Sequence, residues 1–205
     1  KDFTDRAIEA LADLPEVCPA LHLPVQSGSE TQLERMQRGY SVTEYRDLVA
    51  RLRTAVPDLS LSTDIIVGFC GESDQDFRRT VELMEEMRFD SAYMFKYSER
   101  SGTAAHRKLA DDVPEELKQE RLREIIELQE QISLEVNQQW LGKSVQILVE
   151  GNSKRKTQGG SPNRFGRSAH GKVVVFPEQA EANSMRSVLV DRVTSHTLYG
   201  SAADA

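Results

Sequence analysis

Four stretches of the chain hold the residues able to do chemistry. Pro24–Glu30 ("PVQSGSE") gathers Gln26 and the hydroxyls of Ser27 and Ser29 around Gly28, where an apolar run gives way to a helical pattern. Free backbone N–H groups and hydroxyls at a helix start suit a carboxylate or a phosphate. The same residues also read as an ordinary strand-to-helix turn with a serine cap. Ser62–Ser73 ("STDIIVGFCGES") sets Asp64 inside an otherwise apolar strand that ends in Gly68 and Gly71. An unpaired buried carboxylate is costly, so Asp64 needs a partner or a ligand. The glycines either let a small molecule approach the backbone or make tight turns. Lys96–Thr103 ("KYSERSGT") brings Tyr97, Arg100 and Thr103 to a strand end, as part of the same mouth or as an exposed loop.

The fourth stretch, Gly151–Gly171, carries Lys154, Arg155, Lys156, Arg164, Arg167 and Phe165, with five glycines and no acid, and Lys172 follows it. Basic side chains on a mobile loop beside an aromatic match a surface that tracks phosphates and stacks a base. A solvated loop is the plainer reading. The four histidines (22, 106, 170, 196) lack metal-ligand spacing, and the sequence has no phosphate loop and no nucleophile–histidine constellation. Two cysteines build neither a disulfide framework nor an iron–sulfur site, which points to a reducing cytoplasm. Cys70 is expected as a small buried hydrophobe.

The elements that must position these residues follow from periodicity. Apolar strands at Ala20–Val25, Leu59–Phe69 and Ser91–Tyr97 alternate with helices over Lys1–Leu14, from Ser29 on, over Thr43–Thr54 and over Ser73–Met87. Ser73 and Asp76 predict a capping box, and Phe77, Val81, Met84 and Met87 a buried stripe. This order implies a parallel sheet with right-handed crossovers, whose strands present ligands at their carboxyl ends. Three units are too few to close a barrel, and Lys1 reads as a cut inside a longer protein. A long helix opens at Pro114 with Asp112 as its cap, buries Leu122, Ile125, Ile132, Val136 and Trp140, and stops at Gly142. Short β-like runs at 144–150, 172–176, 187–194 and 197–200 then predict a small all-β barrel of about five strands.

Charge divides at the same place. The 205 residues carry a net −7, but 1–140 hold 17 Lys+Arg against 28 Asp+Glu, whereas 141–205 hold 9 against 5. An acidic body with a basic tail is common in enzymes that dock on nucleic acid. No apolar run approaches the ~20 residues of a membrane span.

Taken together, "LHLPVQSGSETQLERMQRGYSVTEY", "LSTDIIVGFCGESDQDFRRT", "FDSAYMFKYSERSGTAA" and "VPEELKQERLREIIELQ" resemble the C-terminal half of the radical-SAM domain of the methylthiotransferases. "LGKSVQILVEGNSKRK" and "FGRSAHGKVVVF" are similar to the TRAM domain, the small RNA-binding β-barrel that ends these enzymes. Cys70 stands where the family usually has Pro, and Ser101 departs similarly in "ERSGT". The resemblance implies an α/β fold, with residues 1–140 the C-terminal half of a partial radical-SAM barrel and 141–205 the TRAM barrel. "QSGS", "STDIIVGF" and "YSERSGT" resemble the branch that adds a methylthio group to C2 of prenylated adenosine beside the tRNA anticodon; "QSGS" also resembles the branch acting on threonylcarbamoyl-adenosine in tRNA, and "FDSAYMFKYS" favours the first.

The implied cofactors are S-adenosylmethionine and two 4Fe–4S clusters whose ligands lie upstream of Lys1. The chain alone would hold no catalytic residue and no metal ligand, and is expected to be inactive. Gln26, Ser27 and Asp64 would face S-adenosylmethionine, Gly68 would allow backbone approach, and Arg38 and Arg100 would meet the cofactor carboxylate or a substrate phosphate. Lys154, Arg155, Lys156, Arg164, Arg167 and Lys172 would grip the tRNA anticodon stem-loop. A cytoplasmic protein without a membrane partner is expected, with a monomer the default and the oligomeric state open. Two other readings are a methylthiotransferase for an aspartate of a ribosomal protein and a cluster-free TRAM-type RNA-binding module.

Overall fold

A computed structural model describes residues 3–156 and 162–203, and their side chains apart from those at 154–156 and 162. Two compact units divide the chain: Lys1–Val17 with Leu21–Gln129, and Cys18–Ala20 with Glu130–Ala205. The elements in order are α1 (Asp5–Asp13), β1 (Ala20–His22), α2 (Glu30–Arg35), α3 (Val42–Ala55), β2 (Ser60–Val67), α4 (Asp74–Met87), β3 (Ser91–Lys96), α5 (Ala104–Lys108), α6 (Glu115–Gln138), β4 (Ser144–Lys156), β5 (Pro162–Ser168), β6 (Val173–Phe176), β7 (Met185–Val193) and β8 (Leu198–Ala202). No helix among the described residues is long and apolar enough to cross a membrane.

The first unit is an α/β arrangement on a three-stranded sheet of order β1-β2-β3, as the alternating pattern predicts. β2 and β3 are parallel, with Ser62 opposite Ser91 and Val67 opposite Lys96. β1 ends at His22 rather than Val25, because Pro24 has no N–H for the ladder. A parallel bridge from Gln26 to Ile65 resumes the pairing. Period-two alternation sorts β2 into two faces. Leu61, Thr63, Ile65 and Val67 are fully buried, whereas Ser62, Asp64 and Ile66 are half-buried. Tyr93 and Phe95, in register with Asp64 and Ile66, are 61% and 54% exposed. One sheet face is therefore packed and the other open.

Capping follows the sequence closely. Ser41 with Glu44 and Ser73 with Asp76 form capping boxes at α3 and α4. The buried stripe of α4 is Phe77, Thr80, Leu83, Met84 and Met87, so Leu83 takes the place expected of the half-buried Val81. Asp112 is not the cap of α6. Its carboxylate accepts the Gly71 N–H at 2.6 Å, and the Pro114 carbonyl accepts the first helical N–H, from Lys118, at 3.0 Å.

The second unit is a closed barrel of five strands in the order β4-β5-β6-β8-β7. Its core holds Ile147, Val174, Phe176, Val188, Val190 and Leu198, with Trp140 packed against it. The stretch read as a mobile loop is largely strand: β4 continues to Lys156 and pairs with β5, setting Asn152 opposite Arg164. Polar outward residues on both strands of a barrel hairpin hide the alternation that would reveal it.

The face that α6 buries in the first unit is mostly polar: Lys118, Arg121, Ile125 and Gln129. Arg121 is the anchor. One amino group of its guanidinium donates to the Glu72 carbonyl at 3.0 Å and carboxylate at 2.8 Å, and the other to Asp74 at 2.6 Å. The side chains of Arg121 and Glu72 are 3% and 0% exposed. Glu72 also accepts the Gly68 N–H at 2.6 Å. Burial outweighs Gly68 and Arg121 and leaves the Glu72 carboxyl above its usual pKa. Arg121→Leu strips the counter-charge and should cost about 3–5 kcal/mol in urea unfolding at neutral pH. A carboxyl pKa raised by folding favours the protonated folded state, so the deficit should shrink as pH falls toward about 4.3, the value of a free Glu. A deficit under 1 kcal/mol, or one that grows on mild acidification, would refute this account.

Candidate functional site

The "QSGS" turn is a closed polar knot rather than a free anion cradle. Ser27 is fully buried and its hydroxyl shares a 3.2 Å hydrogen bond with Thr80 of α4. The Gly28 N–H donates to the same Thr80 oxygen at 3.0 Å, and the Ser29 hydroxyl donates to Asp76 at 2.5 Å. Desolvation raises the Asp76 pKa, but hydrogen bonds from Ser29 and from the hydroxyl and N–H of Ser73 outweigh it and hold the carboxyl below its usual value. A Cβ at Gly28 would lie 2.3 Å from the Arg79 carbonyl, so only glycine fits. Gln26, 6% exposed, takes φ 72 while exchanging backbone hydrogen bonds with β2. That left-handed conformation is uncommon outside glycine.

Gly68 closes the end of β2 with φ +70, and the atom that fills the space above it is Cγ of Lys118, 2.3 Å from where a Cβ would sit. The close approach expected at Gly68 is thus made by the protein itself. Lys118 in turn pairs with Asp111 at 2.5 Å. Cys70 is 2% exposed, as expected, and burial pushes its thiol pKa up, which keeps it inert.

Asp64 lies on the open sheet face with partners the sequence reading missed. Its carboxylate is 3.4 Å from the His22 Nε2, whose Nδ1 is 3.0 Å from the Ser62 hydroxyl. The Tyr93 ring meets the His22 ring edge-on at 5.8 Å. Alternation along β2 and β3, carried one strand further to His22, is the signal that would have grouped them.

Arg38 and Arg100 come together elsewhere, in a cavity of about 540 Å³ beyond the carboxyl ends of β2 and β3. Tyr97 and Thr103, expected at the same mouth, line it too, with Phe69, Phe95 and Leu109 as apolar walls. Arg35, Lys96 and Lys108 add cations that the sequence reading did not single out. Gln26, Ser27, Asp64 and Gly68 are not among its lining residues.

On the barrel, Arg167 is exposed and pairs with Glu150 at 3.0 Å. Arg164 donates to Asn152. Lys172, 9% exposed, donates to the Asn137 amide oxygen at 2.9 Å, so it is a structural cation rather than a surface one. Lys154, Arg155 and Lys156 belong to the β4 backbone, and their side chains lie outside the described residues. Arg192 stacks over Tyr199 at 3.6 Å, a cation–aromatic pair that the sequence reading did not anticipate.

Residues 1–84 match the Radical SAM superfamily. The parallel sheet with its site at the strand ends agrees with that class. Across its whole length the chain is 48% identical to a protein of Chlorobium limicola named tRNA-2-methylthio-N(6)-dimethylallyladenosine synthase, covering 46% of that protein. It is 44% identical over 98% of its length to the protein of the same name from Rhodopirellula baltica, covering 43% of it. The chain spans a little under half the length of those relatives. A solved radical SAM enzyme, the coproporphyrinogen III oxidase HemN of Escherichia coli, aligns with a TM-score of 0.48 and 18% identity over 74% of this chain and 41% of that one.

The knot makes the strand-end turn intolerant of volume. Gly28→Ala should destabilise the first unit by at least about 1–3 kcal/mol, since backbone cannot yield as a flexible side chain does. Gly102→Ser is the control, because a Cβ there meets nothing within 4 Å and only the φ of +84 opposes it. Equal losses in thermal unfolding of the two variants would contradict the packing argument.

Proposed function

We propose that this chain is the part of a tRNA methylthiotransferase that completes the cofactor-facing sheet and grips the RNA. The observation that carries the reading is the match over the whole chain, at 48% and 44% identity, to proteins named for methylthiolation of a dimethylallyl-adenosine in tRNA. The domain division proposed is a radical-SAM portion over 1–140 and a TRAM barrel over 141–205. The whole enzyme uses S-adenosylmethionine and iron–sulfur clusters, two in this reading. When bound in the whole enzyme, S-adenosylmethionine would supply the radical chemistry that activates C2 of the adenine. The described residues include no group of three or more His, Cys, Asp or Glu that could hold a metal ion.

The tasks proposed for this chain are binding and orientation. The open face of β2 and β3 offers Asp64, an anion suited to the sulfonium or ammonium of S-adenosylmethionine or to a ribose hydroxyl. His22 and Ser62 hold that carboxylate on the face, and Gln26 fixes the strand edge beside it. Ser27 and Gly68 act one step back, keeping the two strand-end turns rigid. On the barrel, Lys154, Arg155, Lys156, Arg164 and Arg167 run along the β4–β5 hairpin and supply cations for the phosphates of the anticodon stem-loop. Lys172, buried and bonded to Asn137 of α6, is withdrawn from that set.

The test is fluorescence-anisotropy binding of an anticodon stem-loop, with and without a prenylated adenosine, across a salt series. Tighter binding of the prenylated loop is expected. Arg164→Gln and Arg167→Gln should each lower the slope of log affinity against log salt by about 0.7–0.9, the share of one phosphate. Absence of RNA binding by the folded chain, or slopes indifferent to both substitutions, would overturn the reading.

A further inference from the structure

We propose that the outer surface of the barrel stacks an unpaired RNA base on Arg192, at the end of a row of aromatic and apolar side chains that crosses four strands. The proposal rests on the tRNA reading for the presence of RNA and on strand register for the place. Residues in register on neighbouring strands share one face of a sheet. Phe165 of β5 pairs with Val175 of β6, Val175 with Tyr199 of β8, and Tyr199 with Arg192 of β7. Val174, Phe176 and Leu198, next to them in the chain, belong to the barrel core, so the row itself faces outward.

An irregularity in β7 supplies the cation. Val190 pairs with Gly200, and a regular ladder continued from there would set Asp191 opposite Tyr199. A bulge between Val190 and Arg192 advances β7 by one residue, so a guanidinium stands where a carboxylate would. Bulges re-aim side chains in this way and are common beside functional sites. The Arg192 Cζ lies 3.6 Å from the Tyr199 ring centroid, in stacking contact with its face. Arg192 is exposed, and among the described residues it makes no hydrogen bond and no ion pair.

A guanidinium with one face on a ring keeps its other face and its donors for a ligand. An unpaired base uses both, since it stacks on Arg planes and aromatic rings and hydrogen-bonds at its edges. In a duplex the faces and edges of each base are already engaged, so the site selects single strand. A phosphate alone would need the cation but not the ring. The carboxylate of a protein partner would also meet the cation, yet residues 141–205 hold 9 Lys and Arg against 5 acids, a balance that favours a polyanion. The row starts at Phe165, between Arg164 and Arg167, and so continues from the hairpin assigned to the phosphates. One RNA strand can lay its phosphates on the hairpin and a base on the row.

The experiment uses the full chain with a short single-stranded RNA carrying 2-aminopurine, the same sequence as a duplex, and the anticodon stem-loop. The chain should quench the fluorescence of the single strand and leave the duplex unchanged. R192K keeps the charge and loses the planar group at an exposed position, and its amide NMR fingerprint should match the unsubstituted chain. It should bind the single strand and the stem-loop at least about fivefold more weakly, the low end for one stacked base, with an unchanged salt slope. Lys serves a phosphate as a point charge, so undiminished affinity of R192K would reveal a phosphate contact and overturn the proposal. Equal quenching of the duplex overturns it as well, and no quenching of either RNA gives the row to a protein partner instead. Stem-loop binding that R167Q weakens and R192K leaves alone removes the stacking site while retaining the tRNA reading. Quenching of the single strand that R192K abolishes, without stem-loop binding, retains the stacking site and removes the tRNA reading.

Discussion

The first unit depends on a charge pair held almost wholly out of water. Glu72 and Arg121 are 0% and 3% exposed, and neither ion could be left there alone. Their geometry explains what the pair organises. Glu72 closes the turn after β2 through the Gly68 N–H, and Arg121 brings α6 onto that same turn. Around it, Arg35 of α2 donates to the Cys70 carbonyl, Asp112 accepts the Gly71 N–H, and the stem of Lys118 covers Gly68. Five consecutive residues after a strand are thereby fixed by three other parts of the chain. A replacement by apolar residues of equal volume could match the stability. It would not set Gly68, Cys70 and Gly71 in hydrogen-bond register with α2 and α6, and the cavity walls at Phe69 and Arg35 descend from that register.

The second strand-end turn reaches the same rigidity by a different route. Hydroxyls replace ions: Ser27 and the Gly28 N–H meet Thr80, and Ser29 meets the carboxylate that already caps α4. Asp76 therefore serves the helix and the turn together, and its depressed pKa records how well it is solvated by donors. Functional groups placed next to such turns inherit their precision, because a site is only as exact as the shell behind it. His22 and Asp64 each lie four residues from one of these turns.

Much of this was readable from residue types alone. Periodicity located the three strands of the sheet, helices α3 and α4, and four of the five barrel strands, because each is carried by apolar spacing or by a local cap. The failures share a cause. α6 buries Lys118, Arg121 and Gln129, so a search for an apolar stripe favours Leu122, which is only half-buried. The β4–β5 hairpin is lined outward by polar residues and reads as loop. At the site, the family resemblance implied Asp64 facing S-adenosylmethionine, with Arg38 and Arg100 at its carboxylate or at a substrate phosphate. The parallel register instead sets Asp64 among His22, Ser62 and Tyr93 and leaves the arginines at the strand ends. A hydroxyl beside a helix start looks alike whether it faces a ligand or a threonine of a packed helix, and that of Ser27 meets Thr80 of α4.

The charge distribution teaches the same lesson in a form that the composition cannot express. Counting Lys and Arg along the chain singles out residues 141–205, where cations exceed acids. In the barrel, however, Arg167 answers Glu150, and Lys172 is turned inward to Asn137. The acidic first unit behaves oppositely. Its carboxylates are drawn into ion pairs such as Arg46 with Glu86 and Arg78 with Glu124, at positions remote in sequence from the cavity. Arg38, Arg100 and Lys108 line the cavity without a carboxylate partner among the described residues, and Glu99 and Asp111 act on its Tyr97. A field at a binding site is set by the charges left unmatched within about 8–10 Å, since salt screens the rest.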